Sequence, residues 1–87
     1  MDIDSLRSRI DKLDTKILRL LKRRFKTVEK LSTLKKQEGL PIKDALREER
    51  MHESIAKKAE SFHLNPIFTK KLFNLILDES KKLQKNR

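Results

Sequence analysis

The sequence predicts an all-α chain of three helices, one very long and two shorter, paired with a second copy as an intertwined helical homodimer. Three observations predict it. Apolar residues recur at helical spacing along most of the chain, with no alternating run of the kind a strand leaves. The single Gly and both Pro fall in two short breaks, Glu38-Gly39-Leu40-Pro41 and His63-Leu64-Asn65-Pro66. The segment before the first break is too long for a compact monomer of 87 residues. Helices are therefore expected near 4–37, 44–62 and 66–84, within one domain spanning 1–87.

The first helix carries a heptad pattern. One column reads Ile3, Ile10, Ile17, Arg24, Leu31, and its partner reads Leu6, Leu13, Leu20, Thr27, Leu34. The two polar members, Arg24 and Thr27, fall together in the fourth heptad. An adjacent column, Arg7, Asp14, Leu21, Val28, Lys35, is apolar in the middle and charged toward its ends. A helix over 4–37 would run about 50 Å at 1.5 Å per residue, whereas a compact domain of this length has a radius of gyration of ~12 Å. Such a helix overhangs its own monomer and leaves its seam bare. A second copy laid alongside, antiparallel, covers it, and a small domain gains most from that burial.

The second helix presents Asp44, Glu48, Met51, Ile55, Ala59 and Phe62 on one face, with Arg47 beside Glu48. In the third, after the Asn65-Pro66 start signal, Phe73, Leu77, Ser80 and Gln84 follow one another at spacings of four, three and four. Each inward face turns polar at one end only, the pattern of a ligand pocket between helices.

Composition narrows the chemistry. Without Cys there is no disulfide framework and no thiolate metal site, and a single Gly excludes a Gly-rich phosphate loop. His52 and His63 are too far apart to form a one-face metal pair; His52 is expected at the surface and His63 as a cap of the second helix. No Ser or Thr has a plausible His partner. No apolar run approaches the ~20 residues of a membrane span, and the N-terminal residues lack an apolar signal core, so a cytoplasmic location is expected, with no membrane partner. The net charge of +10 suits either a polyanion partner or a solvated Lys-rich surface. Because the cations are spread along the whole chain and no aromatic residues alternate with them, the second reading is preferred and nucleic acid is not the expected partner.

The inward polar set is Arg7, Arg24, Lys35, Asp44, Arg47, Glu48, Ser80 and Gln84. Four cations suit a small ligand with two carboxylates or phosphates. A guanidinium on the seam, Arg24, is costly unless an anion partners it. That anion could be a ligand, or Glu48 or Asp44 of the same chain; a register-setting polar layer is a third reading. Arg7 and Lys35 are roughly 42 Å apart along one helix and cannot reach one small ligand from the same chain. In an antiparallel dimer, Arg7 of one copy approaches Arg24 and Lys35 of the other, giving two equivalent sites.

These residues resemble the all-helical chorismate mutase family. The likeness runs from Leu6-Arg7-Ser8-Arg9-Ile10-Asp11-Lys12-Leu13-Asp14 through Leu20-Leu21-Lys22-Arg23-Arg24, Lys35, Pro41-Ile42-Lys43-Asp44 and Arg47-Glu48-Glu49-Arg50 to Phe73, Ile76, Ser80 and Gln84. No single piece is specific; the ordered set is. The resemblance implies rearrangement of chorismate to prephenate on the route to Phe and Tyr, with no cofactor and no metal. It implies Lys35, Gln84, Arg24 and Glu48 as catalytic residues. Arg7 of the partner chain and Arg24 would bind the carboxylates, with Lys35 on a carboxylate and the ether oxygen. Gln84 would donate to the same oxygen, Glu48 would accept from the ring hydroxyl with the Asp44 N–H, and Ser80 would assist at the ring carboxylate. Arg47 would orient Glu48 or act through water, while Leu31, Met51 and Leu77 form apolar walls. Two positions depart from the family pattern: Ser32 stands where Gly is common, and Lys81 where a small or apolar residue borders the pocket, so that its ammonium either snorkels outward or alters affinity. An isochorismate-pyruvate lyase on the same fold, or a basic helical dimer binding nucleic acid, are the alternatives. The chain reads as a stand-alone mutase or as one domain of a larger protein.

Overall fold

The computed structural model describes residues 2–85 as three helices, α1 (Ile3–Glu38), α2 (Ala45–Ser61) and α3 (Pro66–Lys85); the 1–87 span expected for the domain runs beyond these at both ends. All three predicted helices form within two residues of their expected bounds. Local chemistry explains where each begins. The Asp2 carboxylate accepts from the Ser5 N–H at 2.7 Å, and the Asp44 carboxylate from the Arg47 N–H at 3.0 Å. The Asn65 side-chain oxygen accepts from the N–H groups of Ile67 and Phe68, with Pro66 as the first helical residue. Each cap satisfies donors that have no partner inside the helix.

The ends of α1 and α2 share one device. Leu40 N–H bonds the Lys35 carbonyl and Gly39 N–H the Lys36 carbonyl, with Gly39 at φ +69°. At the end of α2, Leu64 N–H bonds the Ala59 carbonyl and His63 N–H the Glu60 carbonyl, with His63 at φ +58°. This double hydrogen bond turns the chain sharply out of a helix and requires one left-handed residue. Gly39 adopts it freely; His63 adopts it despite its side chain, which gives this histidine a backbone role at the α2 terminus.

The third helix is the hub, packing against α1 on one side and α2 on the other. Its buried residues Thr69, Ile76, Ser80 and Gln84 mark that double-sided face, with Ala59 of α2 and Ser32 of α1 against it. Phe62, expected on the inward face of α2, is instead 71% exposed. It lies beyond the last helical residue, where the chain turns away and the helical period no longer governs direction.

The molecule measures 55 × 25 × 15 Å with a radius of gyration of 16.2 Å, well above the ~12 Å of a compact chain of this length. The excess is α1, whose 36 residues account for ~54 Å. Only the C-terminal half of α1 meets α3. Along its N-terminal half Ile3, Leu6, Ile10, Leu13, Ile17 and Leu20 are between 42% and 67% exposed. Among the described residues the buried apolar side chains are Ala59 and Ile76 alone. One copy thus buries almost no core. No helix of the described residues is long and apolar enough to cross a membrane.

Candidate functional site

A cavity of about 280 Å³ opens where the three helices converge, close to the lower end of the ~300–1,000 Å³ of small-molecule sites. From α1 it receives Arg24, Thr27, Val28, Leu31 and Lys35, which recur at the i, i+3, i+4, i+7 spacing of a single helical face. Met51 and Glu48 reach it from α2, and Leu77, Ser80, Lys81 and Gln84 from α3. Ile42 and Asp44 of the α1–α2 connection close it, together with Arg47 in the first turn of α2. The two polar positions of the α1 heptad seam, Arg24 and Thr27, are thereby accounted for: they face the cavity, not an apolar interface. A larger hollow of about 420 Å³ between α2 and α3, walled by Ile55, Ala56, Pro66 and Ile67, has no comparable convergence of charge.

The polar groups of the first cavity are tied together by direct bonds. Arg24 Nη1 donates to Ser80 Oγ at 2.8 Å, and its Nη2 lies 3.8 Å from Met51 Sδ. Ser80 Oγ in turn donates to the Ile76 carbonyl at 2.8 Å, so its lone pairs are turned to the guanidinium. The Lys35 ammonium donates to the Ile42 carbonyl at 2.9 Å and to Gln84 Oε1 at 3.4 Å. Because Gln84 accepts through Oε1, its amide NH₂ remains as a donor, held on a side chain that is only 7% exposed. Glu48 forms an ion pair with Lys81, Oε1 to Nζ at 2.8 Å.

Burial pushes the Arg24 guanidinium below its ordinary value, and the neighbouring charge of Arg47 pushes in the same direction. Arginine stays protonated across the accessible pH range, so the perturbation registers as unfavourable energy in a cation facing other cations. An anion entering the cavity relieves it.

Seven of the eight inward polar residues expected from the sequence (Arg24, Lys35, Asp44, Arg47, Glu48, Ser80 and Gln84) line this one cavity. Arg7 does not; it is exposed on the free half of α1, roughly 25 Å along the helix from Arg24. Leu31, Met51 and Leu77 form apolar wall as expected. Of the two intrachain partners considered for Arg24, neither Glu48 nor Asp44 is used: Arg24 bonds neutral groups, and Glu48 takes Lys81. Lys81 does not snorkel away but lines the cavity. Sequence reasoning missed Thr27, Val28 and Ile42 as lining residues. Thr27 and Val28 stand three and four places after Arg24, a helical signal that was available. Ile42 contributes its carbonyl from a connection without periodicity.

A three-helix chain whose helices converge on a cavity with four cations, two carboxylates and one buried amide, two of those cations (Arg24 and Lys35) bonded only to neutral groups, defines a helical protein suited to hold a small anion. The comparisons give the class its family. Residues 6–85 match the family model for chorismate mutase type II, and the chain belongs to that family. It is 31% identical over 80 residues to the chorismate mutase of Methanocaldococcus jannaschii, covering 92% of this chain and 81% of that protein. It is 34% identical over 84 residues to the bifunctional chorismate mutase/prephenate dehydratase of Buchnera aphidicola subsp. Schizaphis graminum, covering 97% of this chain and 22% of that protein.

Proposed function

We propose that this cavity binds chorismate and rearranges it to prephenate, and that the protein serves aromatic amino-acid biosynthesis as a single mutase domain. The protein is an enzyme, a chorismate mutase. The observation that carries the reading is the pairing of Arg24 and Lys35 with neutral groups only. Two cations are thereby kept uncompensated in one cavity for a substrate with two carboxylates.

The reaction is unimolecular, so the work is positioning and charge stabilisation. Arg24 takes one carboxylate, with Ser80 fixing the guanidinium and, by turning its one O–H from the Ile76 carbonyl to the ligand, assisting at the ring carboxylate. Lys35 and the Gln84 amide address the ether oxygen, where negative charge grows as the C–O bond breaks. Glu48 accepts from the ring hydroxyl, with the Asp44 N–H beside it. Leu31, Met51 and Leu77 press the folded substrate from its apolar side. No cofactor is invoked for any of these steps.

The second carboxylate falls to Arg7 of a second copy. Support comes from the bare seam of α1: its six apolar members Ile3, Leu6, Ile10, Leu13, Ile17 and Leu20 stay more than two-fifths exposed. The helix that carries them projects beyond its own bundle. Burying such a side chain is worth about 1.5–3 kcal/mol, which supports pairing of the seam with a second copy; an antiparallel arrangement is the one that would bring Arg7 to the partner's cavity. A cytoplasmic location remains part of this proposal.

The matched relatives are named mutases, which favours the mutase over an isochorismate-pyruvate lyase. The convergence of cations from three helices into one cavity favours a small anion over nucleic acid. Incubation of the purified protein with chorismate, following substrate loss and prephenate formation, tests the reading; isochorismate in a parallel reaction tests the lyase. Prephenate from chorismate is the expected result, and pyruvate from isochorismate alone would replace the mutase with the lyase.

A further inference from the structure

Lys81 is the one cavity cation that the mutase reading leaves without a task. The cavity holds four cations, Arg24, Lys35, Arg47 and Lys81, and two carboxylates, Asp44 and Glu48. The carboxylates are not free to drift onto the ligand-binding cations. Asp44 is occupied as the cap of α2, bonding the Arg47 N–H. Glu48 is held by Lys81 at 2.8 Å, with the two side chains 27% and 34% exposed, and this pair crosses from α2 to α3. Arg24 and Lys35, among the described residues, meet only a hydroxyl, a thioether, a backbone carbonyl and an amide oxygen.

We propose that Lys81 is a positioning residue that sorts the cavity's charges: by drawing the Glu48 carboxylate of α2 toward α3, it keeps that carboxylate off Arg24 and Lys35 and leaves both for an anionic ligand. The inference rests on reading the cavity as a dianion site. Without Lys81, Glu48 would sit in a cavity with three other cations and would pair with one of them. The ligand's carboxylate would then have to displace an internal carboxylate already in place, and affinity for every dianion would fall. The same pairing directs Glu48 as an acceptor: one oxygen is taken by Lys81, and the other is left for a ligand hydroxyl. The preferred ligand is therefore a dianion that also carries a neutral hydroxyl.

The test is equilibrium binding of malate, a hydroxyl-bearing dicarboxylate, measured by calorimetry on the wild type and on Lys81→Met, Lys81→Arg and Lys81→Met/Glu48→Gln, with helicity checked by circular dichroism. Lys81→Met is expected to weaken binding about tenfold, and Lys81→Arg to bind like wild type, for a lost or kept ion pair at a partly exposed site. The decisive variant is the double one. Once Glu48 carries no charge it cannot occupy Arg24 or Lys35, so malate affinity recovers to within about threefold of wild type. Unchanged binding in Lys81→Met, a double variant as weak as the single one, or no saturable malate binding to wild type would each overturn the proposal. Chorismate turnover is measured on the wild type and on the two single Lys81 variants, where KM should follow the malate affinities and kcat should change less. A wild type that gives the malate pattern but leaves chorismate intact would sink the mutase reading and leave the role of Lys81 standing.

Discussion

The Lys35 ammonium lies 3.4 Å from Gln84 Oε1 and 2.9 Å from the Ile42 carbonyl, so one cation of α1 is braced at once by α3 and by the connection to α2. Lys35 therefore has two tasks, as a charge in the cavity and as the group that aims the Gln84 amide. Lys35→Ala and Gln84→Ala should each lower kcat with chorismate by an order of magnitude or more, the usual cost of removing a donor to developing negative charge. The double variant should lose far less than the product of the two single losses, because Lys35→Ala already disorients Gln84. Multiplicative losses would show that the two groups act independently.

Arg24 is a group whose functional value opposes its structural cost. It is partly buried, repelled by Arg47 and bonded only to neutral atoms. Methionine fills a similar volume without charge. Arg24→Met should therefore unfold at equal or higher denaturant concentration, neutral to about 1 kcal/mol more stable, while turnover falls at least tenfold. Ser80 does not become an orphan, since its hydroxyl still donates to the Ile76 carbonyl. A marked loss of stability in urea would mean that Arg24 holds the helices together and is not primarily a ligand group.

Much of this fold and site is legible in the sequence, and the reasons are local. Helix ends are written in residues that act within a few positions of themselves: Asp2, Asp44, Gly39 and Asn65 cap or terminate as their chemistry requires. Arg24 announced itself because a guanidinium on an apolar seam needs an explanation. What stayed hidden depends on pairs distant in sequence. Nothing local to Glu48 or Lys81 says that these two meet across α2 and α3, although Lys81 stands one turn after Leu77 on the cavity side. Phe62 departs from its expected face for a related reason: α2 ends at Ser61, one residue before the helical period would place Phe62 inward. The exposed seam from Ile3 to Leu20 was legible as a need for a second copy because its length alone exceeds what the chain can cover.

Ser32 offers a test of stability alone. Its side chain is the most deeply buried among the described residues, at 1% exposure, and its hydroxyl has no hydrogen-bond partner. A buried polar group left unpaired costs about 1–3 kcal/mol, and Ala fits the same space without the hydroxyl. Ser32→Ala should raise unfolding stability by about 1 kcal/mol in urea titration and leave chorismate turnover unchanged. Destabilisation would mean that the hydroxyl finds a partner in the dimer.

The shared site makes a quantitative demand on mixtures. If Arg7 reaches the cavity of its partner, a chain with Arg7→Ala spoils the other chain's site, whereas Lys35→Ala spoils its own. Each homodimer is then inactive at both sites. A heterodimer places both substitutions in one site and leaves the other intact. Random exchange of equal amounts makes half the dimers mixed, so about a quarter of all sites recover. Activity in the mixture should climb toward about one quarter of wild type as subunits exchange, on the same time course as heterodimer formation followed by native mass spectrometry. Exchange without any recovery would place both residues at one chain's site, and an active Arg7→Ala homodimer would remove Arg7 from catalysis. A monomer by sedimentation would remove the shared site altogether and leave the apolar seam of α1 to some other partner.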